Sequence, residues 1–166
     1  QWYDFPQYIE TLTGLISRGI SEINADDMDI IYSAHSLPED FINKGDPYLE
    51  QIKATIEAVN SLLVTRYSLP ARWHLSFQSR SGPVRWLKPS TDETIIRLSK
   101  TGSKNLLVVP ISFVSDHIET LYEIDILYKE LARKHGVNLK RCQSLNTSGE
   151  FINTLKELVM TKVKTV

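Results

Sequence analysis

The chain holds one cysteine, Cys142, among 166 residues. A lone thiol excludes an internal disulfide, and it excludes a zinc or iron–sulfur centre built only from this chain's own cysteines. It is also what a reducing compartment leads one to expect. No apolar run approaches the roughly 18 residues that a membrane span needs, and no signal peptide opens the chain, so the expectation is a soluble, cytoplasmic protein. Neither a Gly-x-Gly-x-x-Gly loop nor a Walker sequence occurs, and nucleotide binding therefore lacks its usual phosphate cradle. Charge of one sign is scarce too. Nineteen Lys and Arg stand against twenty Asp and Glu, for a formal charge of -1, and the basic residues are scattered, which argues against nucleic acid as a partner. The chain starts at Gln1 without a methionine, and reads as a piece of something longer.

What is present is enough for an ordinary core: 42% of the residues are hydrophobic, and the length fits one domain over 1–166. Ile9, Leu12, Leu15, Ile16 and Ile20 recur at helical spacing within Tyr8–Ile23. A short apolar run, Asp29–Ala34, reads as a strand. Asp46 and Pro47 then mark the start of a helix with Ile52, Ile56, Val59, Leu62 and Leu63 as its buried stripe. Trp73–Gln78 alternates like a strand and leads into a loop punctuated by Gly82, Pro83 and Pro89. Ser90 or Thr91 caps a helix to about Lys100, with Asp92 and Glu93 in its first turn. Asn105–Ile111 is a third strand and Asn138–Gln143 a shorter, more polar fourth, suited to an edge. Ser148 caps a last helix whose apolar positions are Phe151, Leu155, Leu158 and Val159. Strands alternating with helices of this length require crossover connections, hence a parallel sheet covered on both faces: an α/β/α architecture.

Chemistry concentrates behind two strands. His35 follows the first, within Ser33-Ala-His-Ser-Leu-Pro38, and is either a strand-end histidine that holds the turn or a working imidazole. Behind the third comes Ser115-Asp-His-Ile-Glu-Thr-Leu-Tyr-Glu-Ile-Asp125. Glu119 and Glu123 are four apart and share a face if that segment is helical, where they repel unless a cation or proton mediates. A solvated acidic helix start would explain the carboxylates alone. With His117 beside them, the set suits divalent iron, zinc or manganese, and equally suits proton transfer near neutral pH. Trp86, on the loop after the second strand, could stack on a flat ligand or plug the sheet's edge. His74, at a strand start, and His135, beside Gly136 at a helix end, read as structural. In open α/β sheets ligands bind beyond the carboxyl ends of the strands, so His35 and the acidic cluster are expected to converge on one crevice.

Taken together, Ser33–Pro38, Asn43-Lys-Gly-Asp-Pro-Tyr48, Gln78-Ser-Arg-Ser-Gly-Pro with Trp86-Leu and Thr91-Asp-Glu93, Val109-Pro-Ile-Ser-Phe with Ser115–Glu123, and Ser144-Leu-Asn146 resemble the carboxyl-terminal half of ferrochelatase, over nearly the whole chain. The resemblance implies a Rossmann-like four-stranded unit of the class II chelatase type, one half of a two-domain enzyme whose amino-terminal domain is absent here. It implies insertion of ferrous iron into a porphyrin held in the cleft between the halves. By the same resemblance His35 is the proton acceptor or metal ligand at the ring centre, with Glu119 beside it. His117 and Glu123 lie along an inner path for protons or metal, and Trp86 lines the porphyrin pocket. A third carboxylate often continues that path in the family; Leu127 stands there instead. No organic cofactor is implied, ferrous iron enters as substrate, and no iron–sulfur cluster is expected because no cysteines lie near Val166. A transmembrane segment is not expected, though contact with a membrane surface is open. The alternatives are a chelatase for coproporphyrin or for cobalt, and, from another class, an inactive domain that binds metal or a partner protein.

Overall fold

The structure is a computed structural model, and it describes residues 1–25, 27–69 and 72–163. Four strands, β1 (Asp29–His35), β2 (Arg72–Gln78), β3 (Asn105–Pro110) and β4 (Asn138–Arg141), form one sheet in the order β2-β1-β3-β4. Every neighbouring pair is parallel. The helices are α1 (Pro6–Ile23), α2 (Glu39–Asn43), α3 (Tyr48–Tyr67), α4 (Thr91–Lys100), α5 (Ile118–Tyr122), α6 (Lys129–Lys134) and α7 (Gly149–Val163), with a π-helical segment at Glu123–Tyr128 between α5 and α6.

The two faces of the sheet follow from the two-residue period of its strands. Ile30, Tyr32 and Ala34 of β1, with Leu107 and Val109 of β3, pack under Ile16, Ile56, Leu63 and Phe151 from α1, α3 and α7. Their alternates, Ile31, Leu106, Val108 and Leu139, pack under Ile95, Leu98, Ile124 and Ala132 on the opposite face. Helix α1 lies close to the sheet because Gly19 has no side chain: a Cβ there would meet Leu107 at 3.2 Å. The connection β1→β2 runs one way along the sheet with α3 on one face, and β2→β3 and β3→β4 run the other way with α4 and α6 on the opposite face. Right-handed crossovers require that exchange of faces. The strand order therefore reverses between β1 and β3, and the crevice beyond their carboxyl ends is the switch point.

The expected elements are present with shifted ends. α1 begins at Pro6 rather than Tyr8, β2 at Arg72, and β4 ends at Arg141, although Cys142 N–H still donates to the Val108 carbonyl at 2.8 Å. Pro47 is the residue before α3, not its first, and Asp46 Oδ1 accepts the Tyr48 N–H at 2.9 Å. Ser90 N–H donates to Glu93 Oε2 at 3.0 Å, closing the start of α4. Ser148 Oγ accepts the Phe151 N–H at 3.3 Å at the start of α7. Val159, assigned to the apolar stripe of that last helix, is instead exposed. Helix α2 has no counterpart in the reading of the sequence, since its five residues are too short for a periodic signal.

Candidate active site

β1 delivers His35 to the crevice as its last residue, and β3 ends at Pro110 and turns through Ile111 and Ser112 toward the acidic segment. His35, Leu37, Tyr48, Ser112, Phe113, His117 and Glu119 line an open pocket of about 330 Å³ there. His35 Nδ1 lies 3.3 Å from Glu119 Oε2, with both side chains more than a third exposed. The two groups are within ion-pair reach but are not aligned for a hydrogen bond, and Nδ1 has no hydrogen-bond partner. The imidazole stands edge-on to Phe113, ring centres 6.0 Å apart.

His117 stacks on the same Phe113 ring, centres 5.3 Å apart. It caps α5: its Nδ1 faces the Glu119 N–H at 3.4 Å, and Thr120 Oγ1 both accepts its N–H and donates to its carbonyl. Its imidazole thus holds the helix start that presents Glu119, and is itself exposed. Asp116, one residue earlier, is anchored by Arg141 Nη1 at 2.9 Å and by Asn146. Arg141 Nε meanwhile reaches both oxygens of Asp125 at 3.0 Å. The edge strand β4 therefore clamps both ends of the acidic segment.

Glu123 follows Glu119 by one α-type turn, since its N–H reaches the Glu119 carbonyl, and the two carboxylates share a face as their spacing predicts. Beyond them the winding changes: the Lys129 N–H bonds back to the Ile124 carbonyl, five residues away, which is π geometry. Such bulges recur at functional sites. Glu123 is partly buried and outside the pocket wall. Burial raises its pKa, the Glu119 charge raises it further, and a 2.9 Å bond from Ser79 Oγ opposes both. Ser79 takes φ 62 at the end of β2, an uncommon conformation for a residue with a side chain. Leu127, at the nominal next turn, is exposed.

Trp86 does not reach the pocket wall. It lies opposite Pro38 in an antiparallel bridge, flanked by Glu39 N–H to the Arg85 carbonyl and Leu87 N–H to the Leu37 carbonyl, and its Nε1 is buried without a partner. Beneath His35, Ser33 Oγ donates to Gln78 Oε1 at 2.6 Å and lies 2.8 Å from Thr91 Oγ1, which meets Ser76 at 2.9 Å. Among the described residues no three His, Cys, Asp or Glu side chains are arranged to hold a metal ion. The donors that do meet are His35 and Glu119, so a metal bound there would keep most of its coordination sphere for other ligands. Sequence reasoning missed Tyr48, Ser79, Ser112 and Phe113; each lay inside a quoted motif, but nothing in residue type or spacing gave it a role.

The ferrochelatase family model matches residues 1–163. The ferrochelatases of Geotalea uraniireducens, Desulfotalea psychrophila and Synechocystis are 50%, 48% and 44% identical to the chain over 96% of its length. The chain spans about half the length of the curated relatives it matches, 49% and 48% of the first two. Among solved structures, the CbiX protein of Marinobacter aquaeolei VT8 is similar with a TM-score of 0.56 at 14% identity, over 84% of this chain and 99% of that one. That likeness bears on the fold, a small parallel α/β/α unit. No helix among the described residues is long and apolar enough to cross a membrane.

Proposed function

The chain belongs to the ferrochelatase family, and from that premise we propose that it is the carboxyl-terminal half of a two-domain enzyme that inserts ferrous iron into protoporphyrin IX to form haem. The observation that carries the reading is the meeting of His35 and Glu119 at 3.3 Å, in an open pocket at the sheet's switch point. Metallation removes two N–H protons from pyrroles whose lone pairs point into a closed ring, and it exchanges them for one divalent ion. A base on one ring face and a route outward for protons are therefore needed. His35 takes a pyrrole proton or ligates the incoming iron through its exposed ring edge, while its buried Nδ1 stays turned toward Glu119. Glu119 stabilises the charge that develops on the imidazole. Glu123, whose raised pKa favours holding a proton, receives it next, with His117 at the pocket rim as a second outlet. Trp86, outside the pocket wall of this half, would border the ring from the loop that pairs with Pro38, as the family resemblance implies.

The porphyrin lies between this half and the part of the relatives' length that the chain does not cover, which excludes water and reads the ring's peripheral carboxylates. Iron is substrate; the reaction asks for no organic cofactor and no iron–sulfur cluster, and the compartment is cytoplasmic. The test is to assay the 166 residues alone and joined to the uncovered half of the Geotalea uraniireducens protein. Haem formation is expected only from the joined protein. Comparable haem formation by the chain alone, or none by a folded joined protein, refutes the reading.

A further inference from the structure

The Asn43–Tyr48 stretch belongs to the motifs that carry the family resemblance, yet the chemistry above gives it no part. Its last residue reaches the site. Backbone groups along a strand point alternately to the two neighbours: the Ser33 carbonyl accepts the Ile111 N–H on the β3 side at 3.0 Å, and the Ser36 N–H donates to the Gln78 carbonyl on the β2 side at 2.8 Å. His35 thus faces β3 with both its N–H and its carbonyl. β3 has ended by then, at Pro110. Two side chains take the place of the missing strand: the His35 N–H donates to Ser112 Oγ at 2.8 Å, and Tyr48 Oη donates to the His35 carbonyl at 2.7 Å.

The motif explains how Tyr48 gets there. Gly45 takes φ 92, which glycine adopts without strain, and Asp46 accepts the Tyr48 N–H to start α3. Tyr48 then forms part of the pocket wall beside Ser112. Burial raises the phenol pKa, so the hydroxyl stays a donor. His35 Nδ1 faces the Glu119 carboxylate without a hydrogen bond, so the hydrogen bonds that hold this residue are those of its backbone.

Resting on the reading of His35 as the base or ligand at the ring centre, we propose that Tyr48 is a positioning residue: by holding the His35 carbonyl where the sheet no longer can, it keeps the imidazole aimed at Glu119 and at the metal path. Two measurements test this. In the 166-residue chain, the through-space NMR contact between the His35 and Phe113 rings is recorded for the native protein, Tyr48→Phe and Ser112→Ala. In the joined two-half protein, kcat and porphyrin KM are measured for the same set and for His35→Ala. Tyr48→Phe is expected to weaken the ring contact and to lower kcat by about 10- to 100-fold with KM unchanged, the scale of a small misplacement of a reacting group. Ser112→Ala is expected to act in the same direction, and it carries the test if Tyr48→Phe does not fold. An unchanged ring contact with kcat within twofold, or a change in KM alone, overturns the positioning role. Full turnover by His35→Ala overturns instead the reading beneath it.

Discussion

Strand β1 begins and ends with an imidazole–carboxylate pair, and the two pairs could hardly be kept more differently. At its amino end Asp29 meets His74 Nε2 at 2.9 Å and also accepts from Ser103 at 2.6 Å and from Arg72 at 3.1 and 3.2 Å. Its side chain is 3% exposed. Arg97 approaches the other nitrogen of His74 at 3.4 Å, so that both ring nitrogens are occupied. At the carboxyl end His35 and Glu119 lie 3.3 Å apart, unaligned, at 37% and 42% exposure. The parts are the same and the demands opposite. A pair saturated around a buried carboxylate stabilises one geometry, whereas a loose pair at a switch point is not fixed by hydrogen bonds of its own. Under the proposed function, what distinguishes the His35 pair from the His74 pair is its lack of fixed hydrogen bonds, not the presence of histidine and carboxylate.

The largest effect that follows is at the open end. In the joined protein, His35→Ala is expected to abolish turnover while the melting temperature stays close to the native value, because the ring packs only edge-on against Phe113. Activity and melting should be measured on one preparation. Surviving activity, or melting that collapses with it, would make His35 as structural as His74. Next comes Glu119→Gln, which keeps shape and removes charge, with a loss of about 10²–10⁴-fold, the usual worth of positioned acid–base help. Glu123→Gln should cost less, since it lies outside the pocket wall and water can bypass it. Equal, mild effects at saturating iron would mean that the acidic segment is only a solvated helix start.

Those two glutamates also mark how far the sequence could be read. Their shared face was legible from a spacing of four, and so was their place behind the third strand, because burial of β1 and β3 writes itself as unbroken apolar runs. The π segment after Glu123 was not legible: residues Glu123–Tyr128 have the composition of an ordinary helix, and their contacts, Ile124 under the sheet and Arg141 on Asp125, are tertiary. His74 read as structural from its position at a strand start, and its bonds to Asp29 bear that out. Asp29 itself drew no notice, since a carboxylate opening a strand is unremarkable until Arg72, 43 residues later, is folded against it in register. Pairings between distant residues carry no local signal, and Tyr48 on His35 is another of that kind.

At the closed end the effect is on stability rather than rate. Asp29→Asn removes the charge that Arg72, His74 and Ser103 converge on, and because Arg72 is well exposed the loss is expected at about 2–3 kcal/mol, near the worth of one charged hydrogen bond. For a chain of this size that lowers the melting temperature by about 5–10 °C. In the joined protein, iron insertion per folded molecule should be unchanged. A fall in specific activity would show that the two ends of β1 are coupled and that the contrast drawn between them is too sharp.

The smallest effects are in pH, and they should have opposite signs at the two ends. Burial alone would raise the Asp29 pKa, but bonds from Arg72, Ser103 and His74, with the Arg72 charge, outweigh it and hold the group at about 2, below its ordinary 3.8. A carboxylate lowered on folding stabilises the protein above its unfolded pKa and loses that contribution as pH falls through the folded one. The window is therefore about pH 4 down to 2, and the amount about 2 kcal/mol. Glu123 is raised instead, by burial and then by Glu119, so its contribution is greatest when protonated and declines as pH rises past the ordinary carboxylate range. Unfolding free energies of the native chain, Asp29→Asn and Glu123→Gln between pH 2 and 7 separate the two, since sites at opposite ends of a strand should act additively. Asp29→Asn should flatten the acid side of the curve, and Glu123→Gln should lift its near-neutral side. If Glu123→Gln also flattened the acid side, Glu123 would be a satisfied partner like Asp29, and the open end of β1 would lose its claim to be the place where protons are handed on.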